Sequence, residues 1–166
     1  PWPDRDLTTL LEQADSWLGP CLEGCLGWSD ISATALEEAL WGDLDWSFRQ
    51  QLDALLPRRI PIPSGRQAAL LYTADEVILA VKLQEMFGSD DGPHVLNGRI
   101  PVTLELLSPA GRPLQRTRAL KGFWEGSYQE VRREMRGRYP KHPWPEDPRQ
   151  ALPTARTKRK SNGQQS

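Results

Sequence analysis

The sequence predicts an α+β fold: an N-terminal helical segment, then a small, mostly antiparallel sheet of about four strands with two packed helices, and a disordered basic C-terminal tail. Three observations carry this. Apolar residues recur at helical spacing through the first third. They then change to short strand-like runs separated by turn residues, between Arg58 and Arg118. Helical spacing returns around Trp124 and stops at a proline-rich stretch.

Elements follow in order. After Asp4, the apolar residues Leu7, Leu10, Leu11, Ala14, Trp17 and Leu18 share one helical face, and Gly19-Pro20 is expected to end that helix. A second helix starts near Ser32 or Thr34, where Thr34 and Glu37 have capping-box spacing, and ends at Gly42. A third runs from Asp43 to Pro57 through Leu44, Phe48, Leu52 and Leu55. Trp28, Trp41 and Trp46 fall among these helices as expected core or interface filler. Residues 58–64 are extended, because Pro61 and Pro63 block helix and bias their predecessors toward β. Strands are expected at 68–72 and 77–81 around the turn 73–76, then a short helix closed by Gly88, then a polar loop to Gly98. Residues 99–107 alternate as a half-buried strand, 109–112 turn, and 114–118 return. The last helix spans about Gly122 to Arg136 with Gly137 as its terminator; Trp124, Tyr128, Val131 and Met135 form one face. The expected organisation is 1–57 acidic helical segment, 58–148 α+β domain and 149–166 basic tail.

The chain has 166 residues and 18.8 kDa, with 38% hydrophobic and 26% charged residues. That size buries roughly 70% of the unfolded surface, so a core needs no staples. The composition predicts a soluble globular protein, and no run of about 18 apolar residues exists to span a membrane. No basic-then-apolar leader opens the chain, so no secretory signal is expected. Cys21 and Cys25 are too few for a disulfide scaffold, which makes a reducing, cytoplasmic setting the expectation. Pro1 in place of a starting Met points to a piece of something longer.

Charge is divided along the chain. Residues 1–57 carry eleven acids and two bases; from Arg112 onward there are fourteen bases and five acids. Such asymmetry fits either a nucleic-acid-facing side or two halves that pack on each other. On the last helix, Arg132, Arg133 and Arg136 gather on one flank, where they could track phosphates. Arg138 and Lys141 extend the positive run. Tyr139 and Trp144 sit in the proline-rich stretch 139–148, either docked on the core or offering faces for base stacking.

Other chemistry lacks a motif. There is no G-x-x-x-x-G-K-[ST] or G-x-G-x-x-G to hold a nucleotide. Cys21-x3-Cys25 is half a zinc site, and His94 and His142 lie far from it, so no metal site is expected. No nucleophile elbow supports a Ser–His or Cys–His pair, so no catalytic residue is assigned.

Three stretches carry a family resemblance: Val81–Gly88, Leu106–Gln115, and Gly122–Tyr128 running on through Arg132-Arg133-Glu134-Met135-Arg136-Gly137-Arg138-Tyr139-Pro140-Lys141-His142-Pro143-Trp144-Pro145. Together they resemble the C-terminal domain of the HrpB-type bacterial DEAH-type ATP-dependent RNA helicases. The resemblance covers residues 17–156, most strongly 80–148. It implies a parent with two RecA-like domains that bind ATP and Mg and hold the catalytic motifs. None of those motifs lies in this chain, so no cofactor of its own is implied. The implied partners are RNA and the helicase core domains of the same parent; the sequence names no further protein partner.

Two functions follow. In the first, the domain contacts RNA without sequence preference through Arg132, Arg133, Arg136, Arg138 and Lys141, with Tyr139 or Trp144 stacking. In the second, it is a protein-interaction or intramolecular scaffold domain packing on the helicase core, for which the seven tryptophans and the acidic first third are the signal.

Overall fold

The computed structural model describes residues 4–42 and 44–156. The chain divides into two compact units, residues 1–51 and 52–166.

The first unit is helical. It holds α1 (Leu7–Glu12), α2 (Ala14–Trp17), α3 (Gly19–Leu22), α4 (Ala33–Trp41) and the start of α5 (Trp46–Leu55). Asp6 caps α1, its carboxylate accepting the Thr9 amide at 2.7 Å, and Ser32 caps α4, its hydroxyl accepting the Ala35 amide at 3.0 Å. The Thr34–Glu37 box is therefore not used. The single helix expected over Leu7–Leu18 is broken at Gln13, which leaves helical geometry at φ −100°, ψ 13°. Gly19-Pro20 does not stop the chain's winding: Pro20 lies in the first turn of α3, where its missing N–H breaks no bond. The Trp17 indole donates to the Leu10 carbonyl at 2.8 Å, tying α2 to α1. Trp28 and Trp46 are not core residues; they are 83% and 69% exposed, and only Trp41 is half-buried.

The second unit holds the sheet. Its strands are β1 (Arg59–Pro61), β2 (Gln67–Ala69), β3 (Leu71–Tyr72), β4 (Val77–Lys82), β5 (His94–Val95), β6 (Ile100–Pro101), β7 (Thr103–Leu107) and β8 (Pro113–Thr117). The main sheet runs β3-β4-β7-β8; β1·β2 and β5·β6 are small antiparallel pairs beside it. The outer pairings are antiparallel as expected, but the central one, β4·β7, is parallel, from Ile78 opposite Thr103 to Lys82 opposite Leu107. A parallel pair needs a crossover. Here it is the 3-10 turn Leu83–Met86, where a short helix was expected, followed by the β5·β6 hairpin, whose first strand lies in the expected polar loop and whose second lies at the start of the strand expected over 99–107. Val77, Leu79 and Val81 on β4 and Leu104 and Leu106 on β7 point into the core.

The expected last helix is two helices, α6 (Leu120–Glu125) and α7 (Tyr128–Arg138). Gly126 separates them at φ −106°, ψ −97°, a conformation off the helical basin. The predicted face survives the break: Trp124, Tyr128 and Met135 are buried and Val131 half-buried. Trp124 and Tyr128 meet edge-to-face with centroids 5.3 Å apart, and Phe87 and Phe123 complete the aromatic cluster. Helix α7 runs past Gly137, and the Tyr139 amide closes its last turn on the Met135 carbonyl at 2.7 Å.

Beyond α7 the chain forms a strap across the core. Prolines 140, 143, 145, 148 and 153 carry no N–H, so the strap docks mainly through its carbonyls. It stays docked at least to Thr154, whose amide donates to the Gln84 carbonyl at 2.9 Å, with Ala151 packed on the core. The basic residues Lys158, Arg159 and Lys160 of the expected tail lie outside the described residues.

Candidate nucleic-acid interface

The seven predicted interface residues divide into three groups. Arg132 faces inward. Its Nε donates to the Trp144 carbonyl at 2.9 Å, its side chain is only 18% exposed, and its guanidinium lies 3.7 Å from Glu146. Trp144 is 6% exposed, and its indole N–H donates to the Tyr139 carbonyl at 2.9 Å. Neither is placed as predicted: Arg132 holds the strap rather than facing solvent, and the Trp144 ring has no free stacking face. The cause is the strap, which covers the side of α7 from which Tyr128, Gln129 and Arg132 project.

Tyr139 and Arg138 form the second group. Tyr139 is half-buried, packs against the core and meets His142 edge-to-face at 6.3 Å. Arg138 is exposed and pairs with Glu134 at 3.2 Å, an i,i+4 surface contact that water screens. Both line a shallow groove between α7 and the β7–β8 turn, with Ser108, Arg112 and Leu114 on its other wall.

Arg133, Arg136 and Lys141 are the third group. All are exposed, and among the described residues none makes an ion pair. At about 100° per residue Arg133 and Arg136 lie on one flank of α7. Unpaired surface cations keep their full charge for a phosphate.

The fold and these side chains bear on descent. Residues 17–148 match the family HrpB_C, ATP-dependent helicase C-terminal. The chain belongs to this family. ATP-dependent RNA helicase HrpB of Escherichia coli (strain K12) is 47% identical over 161 residues, covering 96% of this chain and 20% of that protein. The crystal structure of the E. coli DExH-box NTPase HrpB superimposes with a TM-score of 0.82 at 46% identity, over 95% of this chain and 20% of that one. A second, of the E. coli DEAH/RHA helicase HrpB, gives a TM-score of 0.65 at 43% identity, over 87% and 18%. The chain thus spans about a fifth of the length of the relatives it matches.

The domain also has two ion-pair clusters that periodicity did not indicate. Glu85, 1% exposed, accepts both Arg66 Nε at 2.8 Å and Arg66 Nη2 at 2.9 Å, with Ser64 and the Lys82 amide on the same carboxylate. Burial pushes the Glu85 carboxyl up, and Arg66, Lys82 and Ser64 together outweigh it, leaving the group below its ordinary value. Glu76 accepts Thr103 Oγ1 at 2.7 Å and Arg116 at 2.6 Å, with Arg118 at 3.6 Å; the Thr103 bond leads in holding its carboxyl low. The sequence has no phosphate loop, and among the described residues no three His, Cys, Asp or Glu are grouped to hold a metal. The thiols of Cys21 and Cys25 are free, each donating to a nearby carbonyl. Among the described residues no helix is long and apolar enough to cross a membrane.

Proposed function

We propose that this chain is the accessory C-terminal part of a bacterial, cytoplasmic ATP-dependent RNA helicase, non-catalytic in itself, and that it contacts RNA without sequence preference. ATP and Mg belong to the RecA-like domains of the parent, which are also its intramolecular partners. The observation that carries the RNA contact is the set of exposed cations that have no acidic partner among the described residues, Arg133, Arg136 and Lys141, beside the weakly paired Arg138. Phosphate contacts of this kind give affinity that falls with salt and is blind to sequence.

The test is RNA binding by fluorescence anisotropy across a salt series. Arg133→Glu with Arg136→Glu is expected to weaken binding at least tenfold, since it removes two phosphate contacts and adds two repulsive charges. Arg132 is left intact, because its loss would release the strap. Unchanged binding in the double variant would remove the α7 flank from the interface. A chain ending at Arg156 separates the folded surface from the residues beyond it and keeps the Thr154–Gln84 bond.

The scaffold reading keeps one specific support. Trp28 and Trp46 are exposed in the first unit, and large exposed aromatics anchor protein interfaces. Binding of a helicase-core fragment that Trp28→Ala and Trp46→Ala abolish, with no RNA binding by the wild type, would favour it.

A further inference from the structure

We propose that RNA follows the rim at the carboxyl ends of β4 and β7, where Lys82 and Arg112 are phosphate contacts alongside Arg138 and Lys141. This rests on the RNA reading above and moves its centre from the flank of α7 to the edge of the sheet.

The parallel pairing creates the rim. Lys82, the last residue of β4, stands opposite Leu107, the last residue of β7, so both strands end on the same side. The chain leaves β7 through a turn fixed at both ends of the Ser108–Arg112 step: the Ser108 amide donates to the Arg112 carbonyl at 2.8 Å, and the Arg112 amide donates to Ser108 Oγ at 3.1 Å. Ser108 is buried, which anchors the turn and leaves the Arg112 side chain exposed. Arg112 then shares a groove with Arg138 and Tyr139. A neighbouring groove is lined by Arg66, Lys82 and Leu107. Leu107 lines the second groove and the next residue, Ser108, lines the first, so both open at the carboxyl end of β7. His142, the strap residue after Lys141, is held below its ordinary value by burial and, to a lesser degree, by the charge of Lys82.

The balance of charge is positive. Of the acids here, Glu85 is buried and held by Arg66, and Glu134 is paired with Arg138. Among the described residues Lys82, Arg112 and Lys141 have no ion-pair partner. Cations from β4, the β7–β8 turn, α7 and the strap therefore gather on one edge although they are scattered in sequence. A single RNA strand, charged at every step, fits a line of separate cations better than an acidic peptide with spaced charges does.

The experiment measures binding of single-stranded oligouridine to the 166-residue chain by anisotropy, between about 50 and 200 mM salt. Lys82→Gln with Arg112→Gln is expected to reduce the slope of log K against log salt by about 1.4, two contacts at ~0.7 each, and to weaken binding roughly ten- to thirtyfold near 0.1 M salt. Arg99→Gln, before the amino end of β7, is expected to change the slope by less than half as much. Should the double variant lose the near-UV signal of its buried tryptophans, Arg112→Gln alone carries the test at about 0.7, because that side chain is exposed and makes no bond among the described residues. Wild-type binding with an unchanged slope in the variants overturns the rim and leaves the RNA reading standing. No RNA binding by the wild type overturns both, and the rim's cations then belong to a protein contact.

Discussion

At the scale of single residues, Glu85 shows how a buried charge is tolerated. A carboxylate removed from water is costly unless its oxygens are matched by donors. Here a forked guanidinium, a hydroxyl and a backbone amide fill them, and the net effect holds the carboxyl below its ordinary 4.5. A depressed acid contributes stability that is present in full above its unfolded value and lost as pH falls through the folded one. Arg66→Ala is expected to cost about 2 kcal/mol at pH 7, less than the ~3–5 typical of fully buried pairs because Arg66 is 49% exposed. In that variant only the Ser64 hydroxyl and the Lys82 amide still oppose burial, so the Glu85 carboxyl rises, and the penalty is expected to shrink below about pH 5 as the group takes up a proton. Urea denaturation of both proteins between pH 4 and 7 measures this; a penalty independent of pH would mean that Arg66 acts through packing alone. The partners are 19 positions apart, and those of the Glu76–Arg116 bond are 40 apart. No periodicity links residues at such distances, so neither cluster was legible in the sequence.

At the scale of elements, the strap accounts for what was and was not legible around α7. The 3.6-residue period located the apolar face through Trp124, Tyr128 and Met135, because burial of that face is a local property of the helix. Period alone does not say what lies on the neighbouring flank. Four strap carbonyls are met by groups of known place: Pro145 by the Tyr128 hydroxyl at 2.8 Å, Glu146 by Gln129 at 2.8 Å, Trp144 by Arg132 at 2.9 Å and Pro148 by the Gly88 amide at 2.9 Å. A proline-rich run was legible as rigid and extended, but its docking depends on those donors. Burial drives the Tyr128 phenol further up from its ordinary value, so it stays a donor across the working pH range. Tyr128→Phe is expected to cost about 1–2 kcal/mol, leaving the half-buried Pro145 carbonyl unmet, and Arg132→Ala about 1.5–3 kcal/mol. Both are expected to speed trypsin cleavage after Lys141 and Arg149 more than cleavage elsewhere. Uniform acceleration at all sites would show that the strap does not open on its own.

At the scale of the whole molecule, the two units differ in what holds them. Among the described residues every buried hydrophobic side chain, from Ile62 to Trp144, lies in the second. In the first, no described side chain is buried, and α1 to α5 are 6, 4, 4, 9 and 10 residues long. Isolated helices shorter than ~12–15 residues are marginal in water, and capping by Asp6 and Ser32 adds only about 1 kcal/mol each. The helical pattern of the first third was legible because it is amphipathic, while its lack of a core was not, since apolar spacing does not reveal how much area a partner covers. A fragment from Trp46 to Arg156 retains α5 whole, the sheet, both later helices and the strap. It also keeps the bond from the Leu96 amide to the Leu55 carbonyl, at 2.8 Å, which ties the end of α5 to the sheet unit. That fragment is expected to unfold cooperatively with a Tm within about 4 °C of the 166-residue chain, corresponding to roughly 1 kcal/mol. Residues 1–51 alone are expected to give weak helical circular dichroism and a broad, non-cooperative melt. A cooperative transition in that short fragment, or collapse of the larger one, would show that the stability of this domain is not lodged in the sheet and its strap.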